Sequence, residues 1–202
     1  MAAAAGPDIV NSGLVLALDA ANPKSYPGSG ATWYDLSGNG KHHTLANSPT
    51  YSANSFTLNE TQGFSYNGVI TAATNCTVVL YYKTTDVQEL WVRGNSAGNF
   101  YLAACYDGSS YYHSNVGSPT NYVDLEVVTN PNPNGSNKRN GNYHMWEAKN
   151  CDFSSWSVWD WFLYGSSWNM NGTVATVMIY NRALTSTESA QNFNALRTRF
   201  GI

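Results

Sequence analysis

Two acidic residues stand two positions apart in the stretch YVDLEVVTN, at Asp124 and Glu126. A pair of carboxyl groups about 5 to 5.5 Å apart can hydrolyse a glycosidic bond, one acting as the acid and the other as the nucleophile. Alternate side chains of an extended strand share a face, so this spacing meets the first geometric requirement. The alternation of acids does not continue in either direction. Tyr122 stands two residues before Asp124, and Val128 stands two residues after Glu126. The stretch is equally typical of a strand whose acids face water, and we predict that the protein is not an enzyme.

The histidine and glycine patterns indicate no other catalytic chemistry. None of His42, His43, His113 and His144 lies in a serine or cysteine hydrolase motif, and no GxSxG sequence occurs. The glycines of GSGATW are not followed by Gly-Lys-Ser/Thr, so a phosphate-binding loop is not predicted. His42 and His43 are adjacent and would point to opposite faces of a strand, which makes joint binding of a metal awkward.

Three widely spaced cysteines, Cys76, Cys105 and Cys151, form no CxxC metal-binding pair. Because their number is odd, at least one has no partner within the chain. The pattern fits three reduced and mostly buried thiols, which is the interpretation we favour, or one disulfide with one free thiol.

Closely spaced aromatic residues are the remaining signal for binding. Trp159 and Trp161 lie two positions apart in FSSWSVWDWFLYGSSW and would share one face of a strand. Tyr82 and Tyr112 belong to tyrosine pairs that would each place one ring outward. Exposed rings can stack on sugars or be buried against a neighbouring subunit. These four residues are therefore candidate contacts with a glycan or a subunit, and the alternative is that both sets of rings are buried in the fold.

The composition argues against several classes of function. Only 11% of the 202 residues are charged, well below the roughly 25% typical of soluble proteins, and 14% are aromatic. Such a surface suits an assembly, a neutral polar ligand or an extracellular setting. A formal net charge of −3 argues against electrostatic binding to nucleic acid, so we expect no nucleic-acid partner. No run of about 18 apolar residues is present, so we expect no transmembrane helix and no membrane partner.

Apolar periodicity and turn residues predict an all-β fold that ends in a short helix. The run GLVLALDAA at 13–21 is typical of a buried strand, and strand candidates then recur at intervals of about ten residues as far as 172–180. Thr185 and Glu188 form a capping box before apolar residues at helical spacing, which predicts a helix over 186–198. We expect residues 1–12 to form an N-terminal arm that is either mobile or docks on neighbouring molecules, and residues 13–202 to form one domain.

The last predicted strand has apolar residues on both faces. Strict alternation would group Val174, Thr176, Met178 and Tyr180 on one face and Ala175, Val177 and Ile179 on the other. We therefore expect this strand to be covered on both sides.

Two motifs at opposite ends of the chain resemble one family. The motifs GLVLALDAANPKSYPGSGATWYDLSGNG and VATVMIYNRALTSTESAQNFNALRTRFGI resemble the concanavalin A-like, laminin-G-like jelly-roll domains common in bacteriophage structural proteins, notably those of marine and cyanobacterial phages. The resemblance implies a two-sheet antiparallel jelly-roll sandwich whose first and last strands lie together. The same superfamily contains lectins, glucanases and laminin-type receptor-binding modules, so the fold alone does not decide the function.

The resemblance also implies a candidate calcium site, since related laminin-type and lectin domains often hold calcium with Asp and Asn oxygens. Asp19, Asn22, Asp35 and Asn39 flank one loop rich in Gly and Pro and are the candidate ligands. Asp35 and Asn39 can equally form hydrogen bonds with the backbone of their own turn. Apart from calcium we expect no cofactor.

Two expectations for the function follow. The first is a non-enzymatic bacteriophage virion protein, made in the host cytoplasm, that serves as a capsid decoration, fibre or knob-like protein. Its partners would be other capsid or tail proteins and copies of itself. The second is a carbohydrate-binding module that recognises glycans of the host surface, with or without calcium.

Overall fold

The computed structural model describes residues 8–85, 91–94, 100–106, 110–128, 139–162 and 170–202. Within these residues the chain forms fifteen β-strands followed by one α-helix, which confirms the predicted all-β class with a C-terminal helix. The elements are β1 (Leu14–Asp19), β2 (Thr32–Trp33), β3 (His43–Ala46), β4 (Thr50–Ser52), β5 (Ser55–Asn59), β6 (Gly63–Asn67), β7 (Cys76–Lys83), β8 (Trp91–Gly94), β9 (Phe100–Tyr106), β10 (Ser110–Ser114), β11 (Gly117–Val123), β12 (Glu126–Val128), β13 (Tyr143–Cys151), β14 (Val158–Trp161), β15 (Asn171–Tyr180) and α1 (Ser186–Phe200).

Antiparallel pairing arranges the described strands in two sheets. The first, called here the helix-side sheet, has the order β12–β11–β13–β7–β15–β5–β4. Its strand β15 pairs with β5 through its first residues and with β1 through its last ones. The second, called here the opposite sheet, has the order β10–β9–β8–β14–β6–β3–β2. The predicted sandwich of two antiparallel sheets is confirmed.

The two ends of the chain meet in the helix-side sheet, where β1 pairs with β15. Beside this pair, the Asn181 amide donates a hydrogen bond to the Gly13 carbonyl across 2.9 Å. The guanidinium of Arg182 donates to the carbonyl of Ser12. Gly13 has a φ of +77°, and a Cβ atom there would lie 2.9 Å from Oδ1 of Asn181, so this approach requires glycine. The expectation that the first and last strands lie together is therefore confirmed.

The main core lies between the two sheets. Strand alternation turns every second side chain inward, and most of the inward positions described in the two sheets are apolar. The helix-side sheet contributes residues such as Val78, Leu80 and Val177, and the opposite sheet contributes Phe64, Val92 and Leu102. A second cluster lies between the outer face of the helix-side sheet and α1, where Val79, Met178 and Leu196 pack together.

A β-bulge in β15 changes which of its residues share a face. The pairing of β15 with β7 shifts register between Val174 and Thr176. Val174 therefore belongs to the core between the sheets, whereas Ala175 packs in the cluster under the helix. The predicted strict alternation is wrong at this point, because an inserted residue shifts the phase of the strand by one position. The expectation that both faces are covered is confirmed.

Helix α1 begins with the predicted capping box. The Glu188 amide donates to Oγ1 of Thr185 across 3.3 Å, and the Glu188 carboxylate accepts from the Thr185 amide across 2.9 Å. The Arg182 guanidinium donates to both oxygens of Glu188, and these bonds lower the pKa of Glu188 to about 2. Gly201 ends the helix in the left-handed conformation. The prediction of a helix over 186–198 is confirmed, and the observed helix extends to Phe200.

Residues 8–12, part of the predicted arm, pack against α1. The Val10 side chain is buried and packs in the cluster under the helix, while the Val10 amide donates to Oδ1 of Asn192 across 2.9 Å. Gln191 donates to the carbonyl of Asp8 across 2.7 Å. Residues 1–7 lie outside the described residues. Within the described ranges, no helix is long and apolar enough to span a membrane.

Candidate functional site

Three of the four candidate aromatic contacts are buried. Trp159 and Trp161 are both 0% exposed, and Tyr82 is 4% exposed. All three belong to the core between the sheets, so they cannot contact a glycan or a subunit. Alternation gives two possible orientations for β14, and the observed one turns both tryptophans inward and leaves the outward positions to Val158 and Asp160. The prediction of contacts at these three residues is therefore wrong.

Tyr112 is the fourth candidate aromatic contact. Its backbone lies in β10 and pairs with Ala103 of β9, which in turn pairs with Trp91 of β8. The side chains of Tyr112 and Trp91 lie outside the described part of the structure. A glycan or subunit contact at Tyr112 therefore stays a prediction.

The candidate acid pair does not lie on one strand. Asp124 and Leu125 form the two-residue turn between β11 and β12, with φ angles of +50° and +72°. The Asp124 carboxylate lies 2.7 Å from Nδ1 of His144, whereas Glu126 is exposed at the start of β12. Because the turn separates the two acids, they do not share the strand face that a carboxyl pair would need.

Asp35, one of the candidate calcium ligands, is the hydrogen-bonding centre of the loop that follows β2. Its Oδ1 accepts from the amides of Ala17 and Ser37, and its Oδ2 accepts from the Ser37 hydroxyl and the Lys41 amide, at 2.8 to 3.0 Å. Asn39 donates to the same Ser37 hydroxyl across 2.9 Å. These bonds correspond to the alternative in which Asp35 and Asn39 stabilise their own turn.

Asp19 and Asn22 lie in a separate network at the end of β1. Nη1 of Arg199 donates to both carboxylate oxygens of Asp19, at 2.7 and 2.8 Å. Oδ1 of Asn22 accepts from the Lys24 amide across 3.0 Å. No group of three or more His, Cys, Asp or Glu side chains within the described ranges is arranged to hold a metal ion. A calcium site at these four residues stays a prediction, and backbone donors and a guanidinium already engage Asp19 and Asp35.

The outer face of the opposite sheet has a continuous row of polar residues, called here the polar row. Successive antiparallel pairs align one residue from each of five neighbouring strands. In spatial order, the row consists of Thr32, Thr44, Ser65, Asp160 and Arg93. The sequence neighbours of these residues, including Trp33, Phe64, Trp161 and Val92, are buried in the core. Because alternate side chains point to opposite faces, the members of the row face away from the core.

The polar row offers hydrogen-bonding groups over a considerable length. Neighbouring strands lie about 4.8 Å apart, so five strands span about 19 Å from the first to the last. Three hydroxyl groups stand at one end, and the Asp160 carboxylate and Arg93 guanidinium stand at the other. Burial raises the pKa of Asp160, and the charge of Arg93 opposes part of that rise. Thr44 is exposed, and the other members are half-buried.

Sequence reasoning missed the polar row for a clear reason. Its members are common surface residues taken from five short strands between residues 32 and 160. Only strand register aligns them, and register between distant strands cannot be inferred from a single sequence. The available local signal is alternation of a polar residue with large apolar ones, as in the β14 sequence VWDW.

The fold and the polar row define a two-sheet β-sandwich with a polar sheet face. No protein-family model and no curated protein matches the chain. A solved structure of domain 4 of a GH43 extracellular arabinanase from Geobacillus stearothermophilus, in complex with arabinotriose, matches with a TM-score of 0.60 and 13% identity. The match covers 90% of this chain and 98% of that domain.

A second match is Trypanosoma rangeli sialidase in complex with sialic acid, with a TM-score of 0.55 and 14% identity. The match covers 93% of this chain but only 33% of the sialidase chain, so this chain spans about a third of that protein's length. At these identities the likeness shows the fold. The family resemblance of the terminal motifs is therefore supported at the level of a β-sandwich, without a link to phage proteins.

These matches correct the prediction that the protein is not an enzyme. That prediction depended on the lack of a carboxyl triplet around Asp124, but the solved structures that share this fold belong to proteins named as a sialidase and an arabinanase. Neither the acid spacing nor the fold is therefore a reason to exclude enzymatic activity.

Proposed function

We propose that the protein is a carbohydrate-binding β-sandwich domain that binds a glycan along the polar row. The observation that carries the proposal is the alignment of three hydroxyl groups, a carboxylate and a guanidinium on the outer face of one sheet. The matched arabinanase domain and sialidase are both in complex with sugars, which supports the same class of ligand.

The chemistry of the row suits sugar hydroxyl groups. Each hydroxyl of Thr32, Thr44 and Ser65 both donates and accepts hydrogen bonds, as each sugar hydroxyl does. The Asp160 carboxylate accepts from two hydroxyl groups, and the Arg93 guanidinium donates to ring and hydroxyl oxygens. A row about 19 Å long fits an oligosaccharide better than a single ring. The charges of Asp160 and Arg93 cancel, which favours a neutral glycan.

Aromatic stacking would add affinity at one end of the row. The strand register places Trp91 two residues before Arg93 and in line with Ala103 and Tyr112. Rings of these types stack on the apolar faces of sugars. We therefore keep Tyr112 as a proposed glycan contact at this end of the row.

Isothermal calorimetry with arabinotriose, sialic acid and a panel of neutral oligosaccharides tests the proposal. Removing one hydroxyl in Thr44→Val is expected to weaken binding about threefold to tenfold, since one hydrogen bond contributes roughly 0.5 to 1.5 kcal/mol. Asp160→Asn is expected to weaken it at least tenfold, because hydrogen bonds to a charged group are stronger. Thr57→Val, at an exposed threonine of the helix-side sheet, is the matched control and should leave the affinity unchanged. A wild-type protein that binds no member of the panel would contradict the proposal.

The same sugars should also be incubated with the protein and analysed for cleavage products by chromatography. Products that form with the wild type and disappear in Asp160→Asn would assign hydrolysis to this face as well as binding. Binding without products would indicate that the domain holds glycans for another active site or another purpose.

We further propose, as a second function, display of this domain on a bacteriophage particle, where it would contact capsid or tail proteins, copies of itself and host surface glycans. The resemblance of the two terminal motifs to domains of bacteriophage structural proteins is what motivates this proposal. Mass spectrometry of purified particles tests it, with stoichiometric recovery as the expected result. Complete loss of the protein during purification of the particles would refute it.

A further inference from the structure

A cleft separates the C-terminal half of α1 from β1 and β15. It has a volume of about 410 Å³ and lies on the helix-side sheet, on the other side of the molecule from the polar row. Its apolar walls include Leu14, Met178 and Leu196, and its rim includes Asp19 and Arg199. A cleft of this size is within the range of small-molecule sites.

One residue that lines the cleft has an unsatisfied polar group. Thr176 is 3% exposed and pairs with Asp19 across the β1–β15 ladder. Its Oγ1 is buried and forms no hydrogen bond with the described residues. Burying a hydroxyl without a partner is unfavourable, so such groups are uncommon in folded proteins. The bulge that precedes Thr176 turns the residue toward the helix side, where the cleft lies.

The rim of the cleft has further donors and acceptors. Arg199 uses Nη1 for both bonds to Asp19, while its Nη2 and Nε form no hydrogen bond with the described residues. Asn11 and Asn22 also stand at the rim and add amide groups. The rim holds the carboxylates of Asp8 and Asp19 and the guanidinium of Arg199. Because the negative charges outnumber the positive one, the rim disfavours an anionic ligand.

We propose that this cleft is a second binding site, for a neutral hydroxylated molecule of mono- or disaccharide size. A ligand hydroxyl would bond to Thr176 Oγ1, which can both donate and accept. The apolar face of the ring would pack on Met178 and Leu196, and hydroxyl groups at the rim would bond to Arg199 and Asn22. The inference does not depend on a glycan site at the polar row, since it uses a different sheet and different residues.

Titration of the full-length protein with glucose, galactose, arabinose, maltose and lactose, followed by calorimetry and amide chemical shifts, tests the proposal. At least one sugar is expected to shift the amides of Ala17, Thr176 and Leu196. Thr176→Val should weaken that binding about tenfold without lowering the melting temperature, because the hydroxyl has no protein partner to lose. Thr176→Ser should restore it. Ala195→Phe, which places a ring in the cleft, should abolish it.

Ser65→Ala separates the two sites, since Ser65 belongs to the polar row. A sugar whose binding is lost in Ser65→Ala but unchanged in Thr176→Val binds the row, and the cleft proposal would be overturned if every sugar that binds behaved in this way. It would also be overturned if none of the sugars bound, if sodium acetate bound in their place, or if Thr176→Val were clearly less stable than the wild type.

Discussion

The indole nitrogen of Trp161 donates a hydrogen bond to Nε2 of His43 across 3.0 Å, joining β14 to β3. An indole N–H only donates, so Nε2 must accept and the proton of the neutral ring is on Nδ1. Nδ1 lies 2.9 Å from the carbonyl oxygen of Lys41 and donates to it. The imidazole is fully buried, and burial lowers the pKa of His43 to about 4. This bridge holds the strands beneath the polar row.

Acidification should weaken the fold through His43. The pKa of histidine is about 6.5 in the unfolded chain and about 4 in the fold, so between these values the unfolded state binds more protons. The His43 contribution is therefore complete above pH 6.5 and is lost as the pH falls to 4. A shift of this size corresponds to about 3 kcal/mol of unfolding free energy. Urea unfolding at a series of pH values measures it.

His43→Gln is the test variant, because an amide can accept from Trp161 and donate to Lys41 without titrating in this range. Its unfolding free energy should fall less than that of the wild type between pH 6.5 and 4. His42→Gln, at the exposed neighbour, is the control and should follow the wild type. Parallel curves for His43→Gln and the wild type would show that another group causes the loss.

Glu147 should have the opposite effect on the pH dependence. Its side chain is buried, accepts from the Ser189 hydroxyl across 2.8 Å and lies 3.5 Å from Nζ of Lys149. Burial raises the pKa of Glu147, against the smaller opposing effects of Lys149 and Ser189. The folded state therefore binds the extra proton, and the Glu147 contribution to stability falls as the pH rises above about 4.5.

Glu147→Gln should remove that fall while keeping an acceptor for Ser189. Urea unfolding from pH 4.5 to 8 compares the variant with the wild type, and Glu126→Gln on the exposed strand β12 serves as the control. Equal slopes against pH for Glu147→Gln and the wild type would refute this role of Glu147.

Substitution of Asn192 should clearly weaken the contact of α1 with β15 and with the segment before β1. Its buried side chain accepts from the Val10 amide across 2.9 Å and donates to the Tyr180 hydroxyl across 3.1 Å. Asn192→Leu leaves both groups without these partners, so we expect a loss of about 2 to 4 kcal/mol in thermal or urea unfolding. Asn194→Leu, at an exposed position two residues away, should change stability by less than about 0.5 kcal/mol. Equal effects of the two substitutions would contradict the assigned role.

Cys76 and Cys151 should be unreactive thiols in the native protein. They pair directly between β7 and β13, and both are free and buried. Burial raises the pKa of Cys76 to about 11 and raises that of Cys151 as well. In a Cys105→Ser background, Ellman's reagent should therefore react with no thiol of the folded protein and with two in denaturant. Rapid reaction in the fold, or no reaction in denaturant, would contradict this. The side chain of Cys105 lies outside the described part of the structure.

Sequence reasoning succeeded where the signal was local. The capping box at Thr185 and Glu188 needs only residues three positions apart, and the helix begins there as predicted. The buried run at 13–21 also needs no long-range information, and it forms β1. The pairing of β1 with β15 came from the resemblance of the two terminal motifs rather than from periodicity.

Sequence reasoning failed where the outcome depends on which face of a strand is buried. Alternation grouped Trp159 with Trp161 but left open which face they share, and the fold buries both. Phe162 is buried as well. Its φ of +64° ends the regular alternation of inward and outward side chains, so it does not take the outward position. The bulge at Val174 and the alignment of Ser65 with Asp160 are likewise long-range properties that only the assembled sheets define.

The most direct test of the account is an NMR titration of the isotope-labelled protein with the oligosaccharide that binds best in calorimetry. Glycan binding along the polar row predicts saturable shifts of the Thr44, Ser65, Arg93 and Asp160 amides, which should be smaller in Asp160→Asn at equal ligand concentration. Shifts confined to the helix-side sheet around Thr57, or no shift at saturating ligand, would contradict it.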